Sequence, residues 1–268
     1  MSERSPALDR NAVRRRFERA AASYRKSSRL EAEVAARMLA RLDYVKLAPR
    51  RILDAGSGPP ERALAKRYAG AEVIALDFAL TMLRRRPFRF FRKTLAVCAD
   101  MESLPLSDAA VELAWCNMAL HWVADPRAAF GEFARVLAPQ GLFMFSTLGP
   151  DTLKELRGVA GAARVHSFVD MHDLGDMLVA AGFSAPVMEM EMISIDYTAE
   201  RGLLADLRES GQTSARADRA RGLAPRSLLG RLRALPARAT FEVVYGHAWS
   251  PPKANQPAKT IRVFKRMP

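Results

Sequence analysis

Cysteine is scarce: the 268 residues hold two, Cys98 and Cys116. That excludes a disulfide-stapled scaffold and a cysteine-built metal centre, and it suits a reducing compartment. Both fall near the ends of apolar strand candidates, the third and fourth along the chain. A doubly wound sheet puts those strands on opposite sides of strand one, so no disulfide is expected and both are read as buried structural thiols. Long apolar runs are missing as well. None approaches the ~18 residues of a membrane span, and the N-terminus shows no apolar signal core, so a soluble cytoplasmic protein is expected. Arg14, Arg15 and Arg16 could suit a transit segment, but Glu3, Asp9 and Glu18 argue against one. Acidic residues run short too, 29 against 42 Lys and Arg, for a net charge of +13. Such a surplus predicts attraction to an acidic partner. Nucleic acid is not the expected one, because there is no RNP-like aromatic motif, no metal-ligand spacing and no helix-turn-helix pattern. What remains is 49% apolar, ample for a sizeable core.

The features that are present centre on Arg51 to Pro60, RILDAGSGPP. An apolar strand, Ile52-Leu53, ends in Asp54 and enters the turn Gly56-Ser57-Gly58, after which Pro59 to Tyr68 reads as a helix. Glycine lets the backbone approach a ligand, and unpaired helix N–H groups face it. The stretch therefore predicts a cradle for an adenosine-containing ligand. Strand two, Val73 to Leu76, is apolar throughout, as a strand buried on both faces should be. It ends in Asp77, 23 residues after Asp54 and placed to hydrogen-bond ribose hydroxyls. Leu95–Val97, Val111–Cys116 and Leu142–Leu148 continue as strands three to five, with a helix from Pro126 to Leu137 that opens on proline. This alternation predicts a parallel sheet with right-handed crossovers, whose ligands sit at the carboxyl ends of the strands. Asp54, Asp77, Asp100, Asn117 and Thr147 all fall at such ends.

Two amphipathic helices, Arg10 to Tyr24 and Leu30 to Leu42, precede strand one and form a cap, residues 1–45, over the mouth of the sheet. After strand five come helices at Asp151–Val159 and Asp170–Ala181, then strands at Val187–Tyr197 and Phe241–Trp249. The late strands suit an antiparallel pair closing the sheet edge. Between them an Arg-rich, largely helical insertion, about 199–238, is placed to act as a lid. The fold class is α/β: a seven-stranded, doubly wound, Rossmann-like sheet, mostly parallel with a late antiparallel hairpin, occupying 46–268 with the insertion. A basic stretch from Arg84 to Lys93, interleaved with Phe88, Phe90 and Phe91, reads either as a solvated loop or as a docking patch for an acidic partner.

A dinucleotide fingerprint needs a third glycine, and Glu61 stands in its place, which disfavours NAD and FAD. An acid two residues before G-x-G resembles instead the first motif of class I S-adenosylmethionine-dependent methyltransferases. Asp77, Asp100-Met101, the Asn117 loop and the seven-strand pattern fit that superfamily. Within it, the chain most closely resembles the malonyl-acyl carrier protein O-methyltransferases of biotin synthesis, over nearly its whole length. The specific parts are FERAAASY (Phe17 to Tyr24), NMALHW (Asn117 to Trp122), STLGPDTLKELR (Ser146 to Arg157), LRESGQT (Leu207 to Thr213) and FEVVYGHAW (Phe241 to Trp249).

The resemblance implies S-adenosylmethionine as cofactor and methyl transfer to the free carboxylate of a malonyl thioester, carried on acyl carrier protein or coenzyme A. It implies Asp77 at the ribose with Phe78 beside it, and Asp100 and Met101 at the adenine. Gly56 and Gly58 take the methionine end, Asp54 orders the turn or acts through water, and Asn117 completes the cofactor set. Tyr24 closes over the methyl donor, and His121 and the Arg-rich lid are candidate donors to the substrate carboxylate. Such a carboxylate, with a pKa near ~4, is already ionised, so neither a general base nor a metal is expected. Alignment in a dry pocket is the enzyme's task. One departure stands out: Pro60 occupies a position where the family has glycine, removing an N–H and adding bulk, or merely pre-setting the helix start. Other readings of the same pattern are a repurposed assembly factor, resembling the mitochondrial complex I factor that hydroxylates an arginine, and a methyltransferase for another small acid or a quinone ring. An RNA methyltransferase fits least, for want of an RNA-binding module.

Overall fold

The computed structural model describes residues 8–59, 63–85, 94–197, 202–219, 225–233 and 235–252. Its strands are β1 (Arg51–Ala55), β2 (Glu72–Asp77), β3 (Thr94–Cys98), β4 (Val111–Cys116), β5 (Leu137–Leu148), β6 (Ser184–Asp196) and β7 (Arg238–Trp249). They form one sheet in the order β3-β2-β1-β4-β5-β7-β6. The first five pair in parallel. β7 runs antiparallel between β5 and β6 and closes that side as the late hairpin pattern predicts. Before β1 come α1 (Arg10–Ala20), α2 (Tyr24–Ser27) and α3 (Arg29–Arg41); α4 (Ala63–Arg67), α5 (Leu80–Arg84) and α6 (Pro126–Val136) are crossovers. α7 (Lys154–Ala160) and α8 (Met171–Ala180) follow β5, and α9 (Leu203–Glu209) and α10 (Arg226–Arg233) lie in the insertion.

The central strands are apolar throughout because both faces are covered. On one face Phe130 and Phe133 of α6 meet Phe143, Phe145 and Phe183, and the rings of Phe133 and Phe143 stack with centroids 4.4 Å apart. On the other, Leu30, Val34, Met38 and Leu42, four apart in sequence, cover Ile52, Leu113 and Leu142. Each fully buried side chain of this size contributes about 1.5–3 kcal/mol. Helix starts follow local chemistry. Asp125 caps α6 by accepting from Arg127 N, with Pro126 in the first turn; Asp170 and Asp9 cap α8 and α1 in the same way.

Three expectations need correction. The helix predicted from Arg10 to Tyr24 breaks after Ala20, where both Ser23 N (2.9 Å) and Ser23 Oγ (3.1 Å) donate to Ala20 O. The break restarts the helix at Tyr24. The helix predicted from Asp151 starts only at Lys154, because Gly149 N and Asp151 N donate to Glu242 O (2.9 Å) and Oε2 (2.7 Å) instead. Cys98 is exposed, not buried, since β3 is the outermost strand. Cys116 is buried, and burial pushes its thiol up to about 12, with Asp54 adding to the effect. Pro60, Glu61 and all of the basic stretch beyond Arg85 lie outside the described residues. Among the described residues no helix is long and apolar enough to cross a membrane.

Candidate active site

The glycine turn lies at the carboxyl end of β1, fastened by Gly56 N and Ser57 N, which donate to Leu76 O at 2.8 and 3.0 Å. Gly56 and Gly58 have φ of +69° and +58°, the left-handed region that favours glycine. Space enforces the first: a Cβ on Gly56 would sit 2.3 Å from Ala119 Cβ. On Gly58 it would touch the Tyr24 ring at 3.5 Å. The Asp77 carboxylate accepts from Gly58 N (2.9 Å) and Ala79 N (2.8 Å), so it ties the turn to the end of β2. Burial outweighs those bonds and raises the Asp77 pKa to about 6. Asp100 accepts from Glu102 N at 2.9 Å and is ion-paired with Arg10, whose other nitrogen lies 3.3 Å from Glu102. Arg10 thus roofs the cleft from α1, a contribution that no spacing in the sequence announces.

Tyr24, Gly56, Gly58, Asp77, Phe78, Asp100, Met101 and Asn117 line this one cleft. Asp54 lines the adjoining recess, together with Tyr24, Gly56, Asn117 and Glu31. Asn117 is held at both ends of its amide: Nδ2 donates to Glu31 O on α3, and Oδ1 accepts from Ser146 Oγ, both at 3.0 Å. Ser146 Oγ in turn accepts from Met118 N at 2.9 Å. The family-like segments NMALHW and STLGPDTLKELR therefore meet here through a hydrogen-bonded chain.

A second cavity, about 310 Å³, lies under the insertion. Leu30, Leu153, Leu156, Phe168, Leu207 and Phe241 make it largely apolar, and it shares Met118 and Trp122 with the cleft. Glu31, Tyr197, Asp206 and Gln212 form a polar belt on its wall. Gln212 Nε2 donates to Glu31 Oε1 at 2.6 Å. Burial pushes the Glu31 carboxyl up to about 7, and the charge of Asp206 adds to the rise. Tyr197 is likewise pushed up by burial, beside Asp206 and Glu31. Arg164 and Arg208 line the same cavity.

This cavity exists because two distant parts of the chain close against each other. Asp9 N donates to Ala215 O (2.9 Å), Arg16 Nη1 to Thr213 O (2.6 Å) and Ser23 Oγ to Glu209 O (2.7 Å). Ser27 Oγ reaches Glu209 Oε2 at 3.0 Å, and Arg219 pairs with Asp9 at 3.0 Å. Residues 8–31 and 203–219 thus share a seam, to which FERAAASY and LRESGQT both belong.

His121 lines neither the cleft nor the cavity. It is buried against Trp122, His166 and Phe168, with Nδ1 3.3 Å from Thr147 Oγ1. Among the described residues its Nε2 has no hydrogen-bond partner. Burial, aided by His166, lowers its pKa to about 3, so the ring is neutral at physiological pH. His166 stacks on Trp122 with centroids 5.1 Å apart, donates from Nε2 to His121 O at 2.8 Å, and is lowered by burial to about 4.

A methyltransferase-domain family model matches residues 53–145. A malonyl-[acyl-carrier protein] O-methyltransferase of Methylovorus sp. is 47% identical, covering 91% of this chain and 90% of its own length. One from Gallionella capsiferriformans is 46% identical over 95% and 96%. Among solved structures, the YcgJ protein of Bacillus subtilis superposes with a TM-score of 0.59 at 18% identity, covering 81% of this chain and 99% of its own. That last likeness is one of fold alone.

Proposed function

We infer, from the premise that this chain belongs to the malonyl-[acyl-carrier protein] O-methyltransferase family, that it methylates the free carboxylate of a malonyl thioester. The observation that carries the reading is the common wall. A cleft built on the glycine turn and a largely apolar cavity share Met118 and Trp122. A donor in one and an acceptor in the other meet there, away from water.

S-adenosylmethionine fits the cleft side. Gly56 and Gly58 let the turn pack against Ala119 and the Tyr24 ring with its backbone lining the cleft, and each Asp77 oxygen keeps a lone pair beyond its backbone bond for a ribose hydroxyl. When bound, the cofactor supplies a methyl group activated on a sulfonium. The rest belongs to the protein. Asp100 and Met101 hold the adenine, Phe78 flanks the ribose, and Asp54 orders the turn from its recess. Asn117 and Tyr24 close the methionine end, Tyr24 from above Gly58. The malonyl carboxylate is ionised at neutral pH, so no base has to remove a proton from it. His121, buried and neutral, serves by holding the Trp122 wall rather than by meeting a carboxylate with charge.

The thioester is carried on acyl carrier protein, an acidic partner that a net charge of +13 would steer. Incubation with S-adenosylmethionine and malonyl carrier protein is expected to add one methyl group by mass spectrometry, at a rate that falls with salt. Cofactor binding without any transferred methyl would overturn the activity. A rate indifferent to ionic strength would remove the steering.

A further inference from the structure

We propose that Glu31 meets the acceptor as an undissociated carboxylic acid and donates a hydrogen bond to the carboxylate oxygen that does not attack. This rests on the reading of the site above. Glu31 stands where the apolar cavity adjoins the recess behind the glycine turn, lining both. Its main chain is pinned there, because Glu31 O accepts from Asn117 Nδ2 at 3.0 Å. Its Oε1 accepts from Gln212 at 2.6 Å on the cavity wall, and we place the proton on Oε2. The same wall presents Asp206, a second carboxyl. An ionised Glu31 would confront an incoming carboxylate with like charge inside an apolar chamber, whereas the acid form offers it a donor.

The step balances without that proton moving. The acceptor oxygen forms its bond to the methyl carbon as the carbon–sulfur bond breaks, sulfur keeps that electron pair, and Glu31 retains its hydrogen. The titratable and charged groups that line the cavity with Glu31 are Asp206, Arg208, Arg164, Tyr197 and His166, and Asp54 and Tyr24 line the recess with it. His166 is held at about 4 and Tyr197 is pushed up, so neither changes charge near neutrality. Glu31, held at about 7, does.

The test counts protons. Malonyl-coenzyme A is titrated calorimetrically at pH 8 into the enzyme saturated with S-adenosylhomocysteine, in buffers of differing ionisation enthalpy. The wild type is expected to take up about one proton per acceptor bound. Glu31→Gln, which keeps a donor, is expected to bind with no uptake, and Glu31→Leu to bind at least tenfold more weakly with an unchanged melting temperature. In turnover, kcat/KM falls about tenfold per pH unit above neutrality in the wild type and stays level in Glu31→Gln. No uptake by the wild type, or equal uptake by Glu31→Gln, overturns the proposal. A wild type that takes up the proton but transfers no methyl keeps Glu31 in this role and removes the proposed activity instead.

Discussion

The cleft and the cavity meet at one wall, yet they are built in different ways. The cleft is built on backbone, a turn between β1 and α4 fastened to Leu76 and Asp77 within about two dozen residues of sequence, with polar groups on strand ends and Arg10 and Tyr24 set over it. The cavity is made of side chains from α3, α7, α9 and α10, and its roof closes only where residues 8–31 meet residues 203–219. Local backbone geometry suits a cofactor that many enzymes share. Long-range packing suits an acceptor that must be distinguished from others.

Three substitutions sharpen that contrast. The largest effect is expected on the backbone side, from Gly56→Ala. The new Cβ would lie 2.3 Å from Ala119 Cβ at a φ of +69°, costing about 1–3 kcal/mol in strain alone. S-adenosylmethionine binding by calorimetry should fall beyond detection, with a lower melting temperature. Retained affinity would show that the turn does not carry the cofactor.

Asp77→Asn comes next. The amide has one acceptor oxygen for two backbone N–H groups, and losing a charged acceptor is worth about 1.5–3 kcal/mol, so cofactor affinity should drop tenfold or more. The wild type adds a pH signature. Its folded pKa, raised to about 6 from an ordinary 3.8, means the native state binds more protons than the unfolded chain between those values. Stability of the free protein should therefore rise as pH falls from 6 to 4. Cofactor affinity should move the other way, because the ribose hydroxyls favour the ionised acid. A melting temperature and a cofactor affinity that rise together as pH falls would break the assignment.

The smallest effect belongs to the seam. Arg16→Gln replaces the charged donor to Thr213 O with a shorter, neutral one, at a cost of about 1 kcal/mol. The KM for the thioester should rise a few-fold while the cofactor dissociation constant stays put. A change confined to the cofactor would mean that cleft and cavity are not separable in this way.

The same contrast explains what was legible in the sequence. Strand periods, the late hairpin and the acids at strand ends rest on local pattern and chain order, so Asp77, Asp100 and Asn117 come together as their positions predict. The break before Tyr24 was not legible, because Ser23 reaches Glu209 as well as Ala20 and that partner lies 186 residues away. Nor was the exposure of Cys98, which depends on β3 being outermost rather than on its own apolar neighbours. Glu31 sits in a helix whose apolar stripe was plain, and reads there as one more surface charge. Only Gln212, from the insertion, turns it into part of a wall.

The seam between the N-terminal helices and the insertion also bears on engineering. Whoever wishes to graft the acceptor preference of one member of this family onto another has two pieces to move, not one. A chimera carrying a foreign insertion on the native cap would leave Ser27 without Glu209 and Asp9 without Arg219 wherever the donor chain differs at those positions. Residues 8–31 and 203–219 form a single transplantable module, although the whole cofactor half of the chain is threaded between them.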